Sequence, residues 1–156
     1  MPDMIESGKE WGFGYQRKIC NPNPTALEVV EQYQYAKKNK FLTKEDNANY
    51  NNRWLQFDGD FIGQFNRTFE FMKQKYGVKV AHIYANWKQD GHHYGRHNDD
   101  MDVIIVQMWN KTGYSIESDN KHSSVILSPG DALYIKAGVY HTPFIFEERA
   151  TMSFSW

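Results

Sequence analysis

The chain has 156 residues, of which 40% are hydrophobic, 24% charged and 16% aromatic, and its formal net charge is −1. This composition is typical of one globular domain, and the near-neutral charge gives no electrostatic reason to expect nucleic acid or anionic lipid as a partner. The single cysteine, Cys20, excludes a disulfide within the chain and a metal site made only of cysteines.

The start of the chain, MPDMIESGKEW, lacks the apolar run of a secretory signal peptide. No segment approaches the roughly 18 consecutive apolar residues that a membrane span requires. We therefore expect a single cytoplasmic domain, 1–156, that does not enter a membrane.

Two helices are predicted in the first half of the chain. Thr25 and Glu28 form a capping-box pattern, and apolar residues then recur at helical spacing. A polar stretch at 43–52 predicts a surface loop. The second helix is expected over about 60–76, because an apolar stripe follows helical spacing there and Gly77 is well placed to end the helix.

The periodicity then changes to short runs rich in Val, Ile, Tyr and Phe, each bounded by a turn signal. Short strands that follow one another without helices between them indicate an antiparallel sandwich or barrel. We therefore expect a mainly β fold in which a helical segment, 1–77, packs outside a β core, 78–156, and 12–19 adds an edge strand. The predicted core strands are 78–87, 101–108, 113–118, 123–127, 131–136, 143–147 and 150–156.

Three side chains are candidates for binding a metal ion. His97 and Asp99 are two residues apart, so in a strand they point to the same face. His141 follows a Pro-Gly-Asp turn, a predicted strand and a Gly-containing turn, which can deliver it to that face. Two histidines and one carboxylate leave coordination positions open and suit Fe(II) that also binds substrate and O₂, although zinc, manganese, cobalt or nickel accept the same ligands.

Neighbouring residues leave alternatives open. Asp100 or Asp102 would replace Asp99 as a ligand if the register of the strand differs, although Asp102 is also suited to fixing the turn or facing outward. His92 and His93 lie in a Gly-flanked segment at the expected mouth of the site. Either of them is a further candidate for contact with metal or substrate.

The same region of the chain resembles a known family. Gly130, Gly138 and His141 have the spacing of the second cupin motif. The segment 97–107, HNDDMDVIIVQ, resembles the HxD strand of Jumonji-C-type cupins, notably of the bacterial ribosomal oxygenases. The resemblance extends over roughly 80–156 and includes the lead-in loop of Fe(II)- and 2-oxoglutarate-dependent oxygenases.

The resemblance implies a double-stranded β-helix, also called a cupin or jelly-roll barrel, with the two N-terminal helices packed outside. It implies a dioxygenase whose catalytic iron is bound by His97, Asp99 and His141. In such enzymes 2-oxoglutarate chelates the iron and is decarboxylated to succinate with O₂, while a C–H bond of the substrate is hydroxylated. The substrate is expected to be a small molecule or a peptide.

An enzyme of this kind needs a cation or strong hydrogen-bond donors for the far carboxylate of 2-oxoglutarate. The family resemblance suggests two basic candidates, Lys111 on the strand after Gln107 and Arg149 on the last strand. Each is about one residue away from the position at which the related families carry their basic residue. In a regular strand Lys111 points away from the site, whereas Thr112 and Tyr114 face it. The sequence leaves the choice among these four residues open.

Two other functions also stay open. One is a cupin metalloenzyme of another reaction type, such as an isomerase or lyase, although those usually carry an HxH pair and a glutamate that this chain lacks. The other is a non-catalytic cupin that binds a small ligand. A homodimer is an alternative to a monomer, because exposed edge strands and aromatic residues favour pairing between chains.

Overall fold

Ten strands and three helices form in the residues that the computed structural model describes, which are 3–45, 54–87 and 95–156. Strands make up 40% and helices 26%, so the predicted mainly β fold is confirmed. The predictions for His92 and His93, and for most of the loop at 43–52, lie outside the described residues. In chain order the elements are α1 (Met4–Trp11), β1 (Phe13–Gln16), α2 (Ala26–Lys38), β2 (Leu42–Glu45), β3 (Trp54–Phe57), α3 (Gly63–Tyr76), β4 (Val80–Asn86), β5 (Val103–Trp109), β6 (Thr112–Ser118), β7 (Lys121–Leu127), β8 (Ala132–Ile135), β9 (Tyr140–Phe144) and β10 (Arg149–Ser155).

The two predicted helices are confirmed. At the start of α2 the Thr25 hydroxyl accepts a hydrogen bond from the Glu28 N–H, and the Glu28 carboxylate accepts one from the Thr25 N–H. α3 ends at Gly77, which has a left-handed φ of 71°. It begins at Gly63, later than predicted, because the backbone before it is extended and buries the side chain of Phe61.

The first helix, α1, is absent from the sequence prediction. Its N-cap is Asp3, whose carboxylate accepts a hydrogen bond from the Glu6 N–H over 2.8 Å. An eight-residue helix is marginal in isolation, so α1 depends on its contacts with β1 and β8 rather than on a strong local pattern. None of the helices in the described ranges is long and apolar enough to span a membrane.

The strands form two antiparallel sheets. The large sheet has the order β1-β8-β5-β10-β4-β3-β2, and the small sheet has the order β7-β6-β9. Every predicted core strand is present with shifted bounds, and β1 at one edge confirms the edge strand expected within 12–19. β2 and β3 were not expected, because a four-residue strand carries too little periodicity to be recognised. The segment 1–77 therefore contributes strands as well as helices.

The two faces of the large sheet are covered differently. The helices pack on one face, where Val29, Phe65 and Met72 join sheet residues in one buried cluster. The small sheet packs on the other face over a portion of its width, and a second buried cluster fills the space between the sheets. This arrangement confirms that the helices lie outside the β core. The second cluster contains Val103, Ile105, Tyr114, Ile116, Leu127, Leu133 and Ile135.

The packing of α1 can be tested with Gly8→Ala. The new Cβ would lie 1.9 Å from Cδ1 of the Tyr134 ring, so the helix or the ring would have to move. We expect the free energy of unfolding to fall by about 1–3 kcal/mol, although alanine favours helices more than glycine does. Chemical denaturation followed by circular dichroism measures the change, with Glu10→Ala at an exposed position of α1 as the control. An unchanged or higher free energy of unfolding would contradict this packing.

Candidate metal centre

His97 and His141 face each other across an antiparallel bridge. His141 lies in β9, and His97 forms an isolated bridge with it. The N–H of each residue donates to the carbonyl oxygen of the other, over 3.0 Å from His97 and 2.9 Å from His141. Residues directly opposite each other project their side chains to the same face. The two ring centroids are accordingly 4.3 Å apart.

Asp99 joins this pair from the segment that follows the bridge. Its carboxylate oxygens lie 4.0 Å from His97 Nε2 and 3.5 Å from His141 Nε2. Two donors that each bind one ion at about 2.0–2.2 Å are at most about 4.4 Å apart, so both separations fit a shared ion. Within the described residues, these three side chains form the group of His, Cys, Asp and Glu whose ligand atoms lie close enough to hold a metal.

The hydrogen bonds of the two imidazoles select the same tautomer in each ring. His97 Nδ1 lies 2.8 Å from the Gly95 carbonyl oxygen, and His141 Nδ1 lies 3.0 Å from the Val139 carbonyl oxygen. A carbonyl oxygen only accepts hydrogen bonds, so Nδ1 carries the proton in each neutral ring and Nε2 keeps its lone pair. This tautomer and this outer hydrogen bond are typical of histidines that bind metals.

Burial differs strongly within the cluster. His141 is 3% exposed, whereas the side chains of His97 and Asp99 are 29% and 36% exposed. Burial lowers the pKa of His141 from its ordinary value, and the neighbouring His97 lowers it further, against the opposing effects of the Val139 carbonyl and Asp99. A lowered pKa keeps the imidazole neutral near pH 7, which is the form that binds a metal. The donor set therefore fits a divalent ion such as Fe(II).

The backbone arrangement that brings the three residues together differs from the one that the sequence predicts. His97 lies in a bridge and Asp99 in the following loop, because the strand β5 begins only at Val103. His141 lies within β9 instead of in a turn before the strand. The side chains converge because of the backbone pair with His141 and not because of alternation along one strand.

The alternative ligands do not belong to the cluster. Asp102 accepts hydrogen bonds from the Tyr134 hydroxyl and, over 2.8 Å, from the Ala137 N–H. It thereby fixes the turn before β9, which is the second role that the sequence allowed. In the same turn, the Gly138 N–H donates to the Asp99 carbonyl oxygen over 2.9 Å. Asp100 is outside the group of potential ligands.

A cavity of about 60 Å³ lies beside the three residues. One water molecule needs about 10–15 Å³ on this measure, so the cavity has room for a small ligand. Its wall combines apolar side chains with hydroxyl groups and one arginine. Apart from the candidate ligands, the lining residues are Tyr84, Val103, Ile105, Tyr114, Pro143, Arg149, Thr151 and Ser153.

Arg149 is the charged residue on this wall, and it is 3% exposed. Its Nε donates to Asn86 Oδ1 over 2.7 Å, and its guanidinium also donates to the Tyr114 hydroxyl. Burial lowers the pKa of Arg149 from its ordinary value, yet an arginine stays charged near pH 7. Among the described residues, no aspartate or glutamate forms an ion pair with Arg149.

Tyr114 is held in place by a chain of hydrogen bonds. Burial raises the pKa of its phenol, so the hydroxyl stays protonated and can donate. It accepts from Arg149 and pairs with Thr151, whose own hydroxyl donates to Gln107 Oε1 over 2.8 Å. The Gln107 amide in turn donates to the carbonyl oxygens of Trp109 and Asn110, over 3.1 and 2.9 Å. These contacts fix the polar end of the cavity before any ligand enters.

The other two candidate anchors lie elsewhere. Lys111 is exposed and does not line the cavity, and its backbone N–H donates to the Glu147 carboxylate over 3.3 Å. Thr112 is fully buried but does not line the cavity either. Its hydroxyl has no hydrogen-bond partner among the described residues. Of the four candidates, the structure places Arg149 and Tyr114 on the wall that faces the metal cluster.

Several lining residues were missed from the sequence. Thr151 and Ser153 follow Arg149 at alternate positions of β10, so the polar alternation RxTxS is the signal that could have indicated them. Asn86, which orients Arg149 without lining the cavity, was missed as well, and it follows the lining residue Tyr84 at an alternate position of β4. Their importance depends on the pairing of β10 with β4, in which Arg149 is opposite Asn86, and sequence periodicity does not contain that pairing.

The structure resembles known oxygenases. Escherichia coli YcfD matches with a TM-score of 0.72 at 14% identity, over 100% of this chain and 54% of YcfD. YcfD is described as a ribosomal oxygenase, and its structure with cobalt and 2-oxoglutarate matches with a TM-score of 0.67 at 15% identity, over 97% of this chain and 51% of that one. A Pseudomonas putida prolyl-4-hydroxylase matches with a TM-score of 0.65 at 12% identity, over 97% of this chain and 96% of that one.

These matches show the fold. The chain has the cupin or jelly-roll architecture of these oxygenases, which confirms the fold implied by the family resemblance. It spans about half the length of YcfD and nearly the whole of the prolyl-4-hydroxylase. No protein-family model matches the sequence. A search of curated proteins finds no match either.

Proposed function

We propose that this protein is an Fe(II)- and 2-oxoglutarate-dependent oxygenase. The observation that carries the proposal is the position of Arg149, a buried arginine that shares one cavity with two histidines and a carboxylate. A buried charge without a counter-ion is unfavourable, so this cavity favours an anionic ligand. A ligand that binds both groups needs an anionic end for the arginine and donor atoms for the metal at its other end, and 2-oxoglutarate has both.

His97, Asp99 and His141 are the proposed metal ligands. Two histidines and one carboxylate with open positions are typical of non-haem Fe(II) oxygenases. When bound, Fe(II) would supply the coordination of 2-oxoglutarate and O₂ and the oxidation of a C–H bond. The net reaction converts 2-oxoglutarate, O₂ and the C–H bond into succinate, CO₂ and an alcohol.

Arg149 and Tyr114 are the proposed residues for the far carboxylate of 2-oxoglutarate. The guanidinium neutralises the carboxylate charge, and the protonated phenol would donate a hydrogen bond to the carboxylate when its O–H rotates away from Thr151. Because Asn86, Thr151 and Gln107 already orient these groups, little reorganisation is needed when the ligand binds. The apolar side chains of the cavity limit the access of water, which strengthens both interactions.

We propose that the substrate is a side chain of a peptide or protein. His97 and Asp99 are about one third exposed while Arg149 is buried, so the metal end of the cavity is the end that opens to solvent. A C–H bond on a large molecule can reach that end without entering the cavity. The names of the two similar proteins, a ribosomal oxygenase and a prolyl-4-hydroxylase, support the same substrate class.

The proposal treats residues 1–156 as one domain. The large sheet takes β1, β2 and β3 from the first half of the chain and the other strands from the second half, so neither half would keep the sheet on its own. A cytoplasmic location belongs to the same proposal. It is supported by the single cysteine and by the requirement of an Fe(II) site for reducing conditions.

Turnover of 2-oxoglutarate tests the proposed function. We expect purified protein with Fe(II) and O₂ to convert 2-oxoglutarate to succinate, and we expect no succinate when any one of these components is omitted. Succinate is measured by NMR with protein at a concentration close to that of 2-oxoglutarate. His97→Ala and His141→Ala should reduce succinate to background, because each removes a ligand. His122→Ala, an exposed histidine of β7, is the matched control. Succinate formation at the wild-type rate in His141→Ala would contradict the proposed site.

The choice of anchor is tested by comparing Arg149→Met with Lys111→Met. Removing one partner of a buried hydrogen-bonded charge pair costs about 2–5 kcal/mol, so Arg149→Met should weaken 2-oxoglutarate binding by about 30-fold or more. Lys111→Met should leave the affinity unchanged, since Lys111 is exposed. Calorimetry with Mn(II)-loaded protein measures both dissociation constants. Equal affinities in the two variants, or a loss only in Lys111→Met, would show that Arg149 is not the anchor.

A further inference from the structure

A second side-chain cluster lies on the outer face of the small sheet. Arg96 donates to the Glu117 carboxylate through Nε and Nη2, over 2.6 and 3.2 Å. Its guanidinium carbon also lies 3.9 Å from the centroid of the Tyr140 ring, in a cation–π contact. We call Arg96, Glu117 and Tyr140 the Arg96 clamp.

The clamp is the outer counterpart of the metal cluster. Arg96 immediately precedes His97, and Tyr140 immediately precedes His141. Glu117 in β6 is directly opposite Tyr140 in β9. Successive residues of an extended chain point to opposite faces. The histidines therefore meet on the face of the small sheet that lines the cavity, and the clamp connects the same two chain segments on the opposite, outer face.

The segment that carries His97 and Asp99 is attached to β9 and to the turn before it. Within the described residues, the attachments to this strand and turn include the backbone pair with His141, the hydrogen bond from Gly138 to Asp99, and a 3.5 Å contact from the Asn98 amide to the Gly138 carbonyl. In the part of the chain that the structure describes, this bridge is not continued by a ladder, and such a bridge opens more easily than a strand inside a sheet. The clamp adds a direct link to β6, the middle strand of the small sheet.

We propose that Arg96 is a positioning residue for the metal site. Its clamp holds the segment with His97 and Asp99 against β9 and β6, and so keeps these two ligands at the distance from His141 that one ion requires. This inference rests on the metal site of the proposed function. It assigns Arg96, Glu117 and Tyr140 no contact with metal or substrate.

The expected effect is local. The Arg96 side chain is 57% exposed and that of Glu117 is 27% exposed, and ion pairs of this kind add little to global stability. The hydrogen bond with Arg96 lowers the pKa of Glu117, so the pair is charged near neutral pH. Direct outer partners of metal ligands change metal affinity about 10–100-fold. Because the clamp acts through the backbone, we expect a smaller effect, about threefold to tenfold.

The sign of the effect separates positioning from simple electrostatics. A positive charge near a metal ion repels it, so removing Arg96 would strengthen cation binding if charge alone mattered. The clamp predicts the opposite result, weaker binding. It also predicts that Arg96→Lys fails to restore the affinity, because a lysine keeps the charge but cannot make the paired and stacked contacts of a guanidinium.

The test is Co(II) binding to chelator-treated protein, followed by calorimetry and by the visible absorption of the bound ion. We expect Arg96→Met and Arg96→Lys each to raise the Kd about threefold to tenfold and to change the absorption spectrum. Lys121→Met, an exposed charge removed from the same sheet, should not raise the Kd. Arg96→Met combined with Glu117→Gln should bind no more weakly than Arg96→Met alone, since both changes break the same contact.

Hydrogen exchange of the metal-free protein gives a second readout. Loss of the clamp should speed the exchange of the His97 amide, which donates to His141, and leave the amides of β10 unchanged. Wild-type Co(II) affinity and unchanged exchange in Arg96→Met would overturn the positioning role while the proposed function stands. Failure of the wild-type protein to bind Co(II) would overturn the proposed metal site and the positioning role together.

Discussion

Two backbone hydrogen bonds join His97 to His141, and the geometry of the candidate metal centre depends on them. The pair sets the two imidazoles on one face, 4.3 Å apart, and brings Asp99 within reach of both. Carbonyl groups behind each ring select the tautomer that points Nε2 inward. On the other face, the Arg96 clamp joins the same two segments. The ligand set is thus assembled from a loop and a strand that are distant in sequence.

The large sheet supplies the second half of the site. β10 places Arg149 on the cavity wall, and its neighbour β4 provides Asn86 to orient the guanidinium. A buried arginine without a carboxylate partner among the described residues is unfavourable in free energy unless an anion binds to it. The metal cluster and the arginine therefore favour the same kind of ligand, one with an anionic end for the arginine and donor atoms for the metal at its other end. We infer the oxygenase function from this combination, because a metal site alone or a buried arginine alone would be compatible with many other functions.

Local signals in the sequence predicted much of this structure. The capping box of α2, the glycine that ends α3 and the succession of short core strands are confirmed, and the sequence predicted as metal ligands the three residues, His97, Asp99 and His141, that the structure brings together. The helix α1 and the strands β2 and β3 were missed because packing stabilises them more than their own pattern does. Which of Lys111 and Arg149 lies on the cavity wall depends on strand pairing, including the register shift between β10 and β5 at Ala150/Thr151, and sequence periodicity does not contain that pairing.

Anaerobic titration of the metal-free protein with Fe(II) and then 2-oxoglutarate tests the central claim most directly. A 2-oxoglutarate molecule that chelates the iron gives a visible metal-to-ligand charge-transfer band. We predict that this band appears in the wild-type protein, is absent in His97→Ala and His141→Ala, and requires a much higher 2-oxoglutarate concentration in Arg149→Met. Iron binding without the band would contradict the oxygenase proposal, and failure to bind iron would contradict the metal site itself.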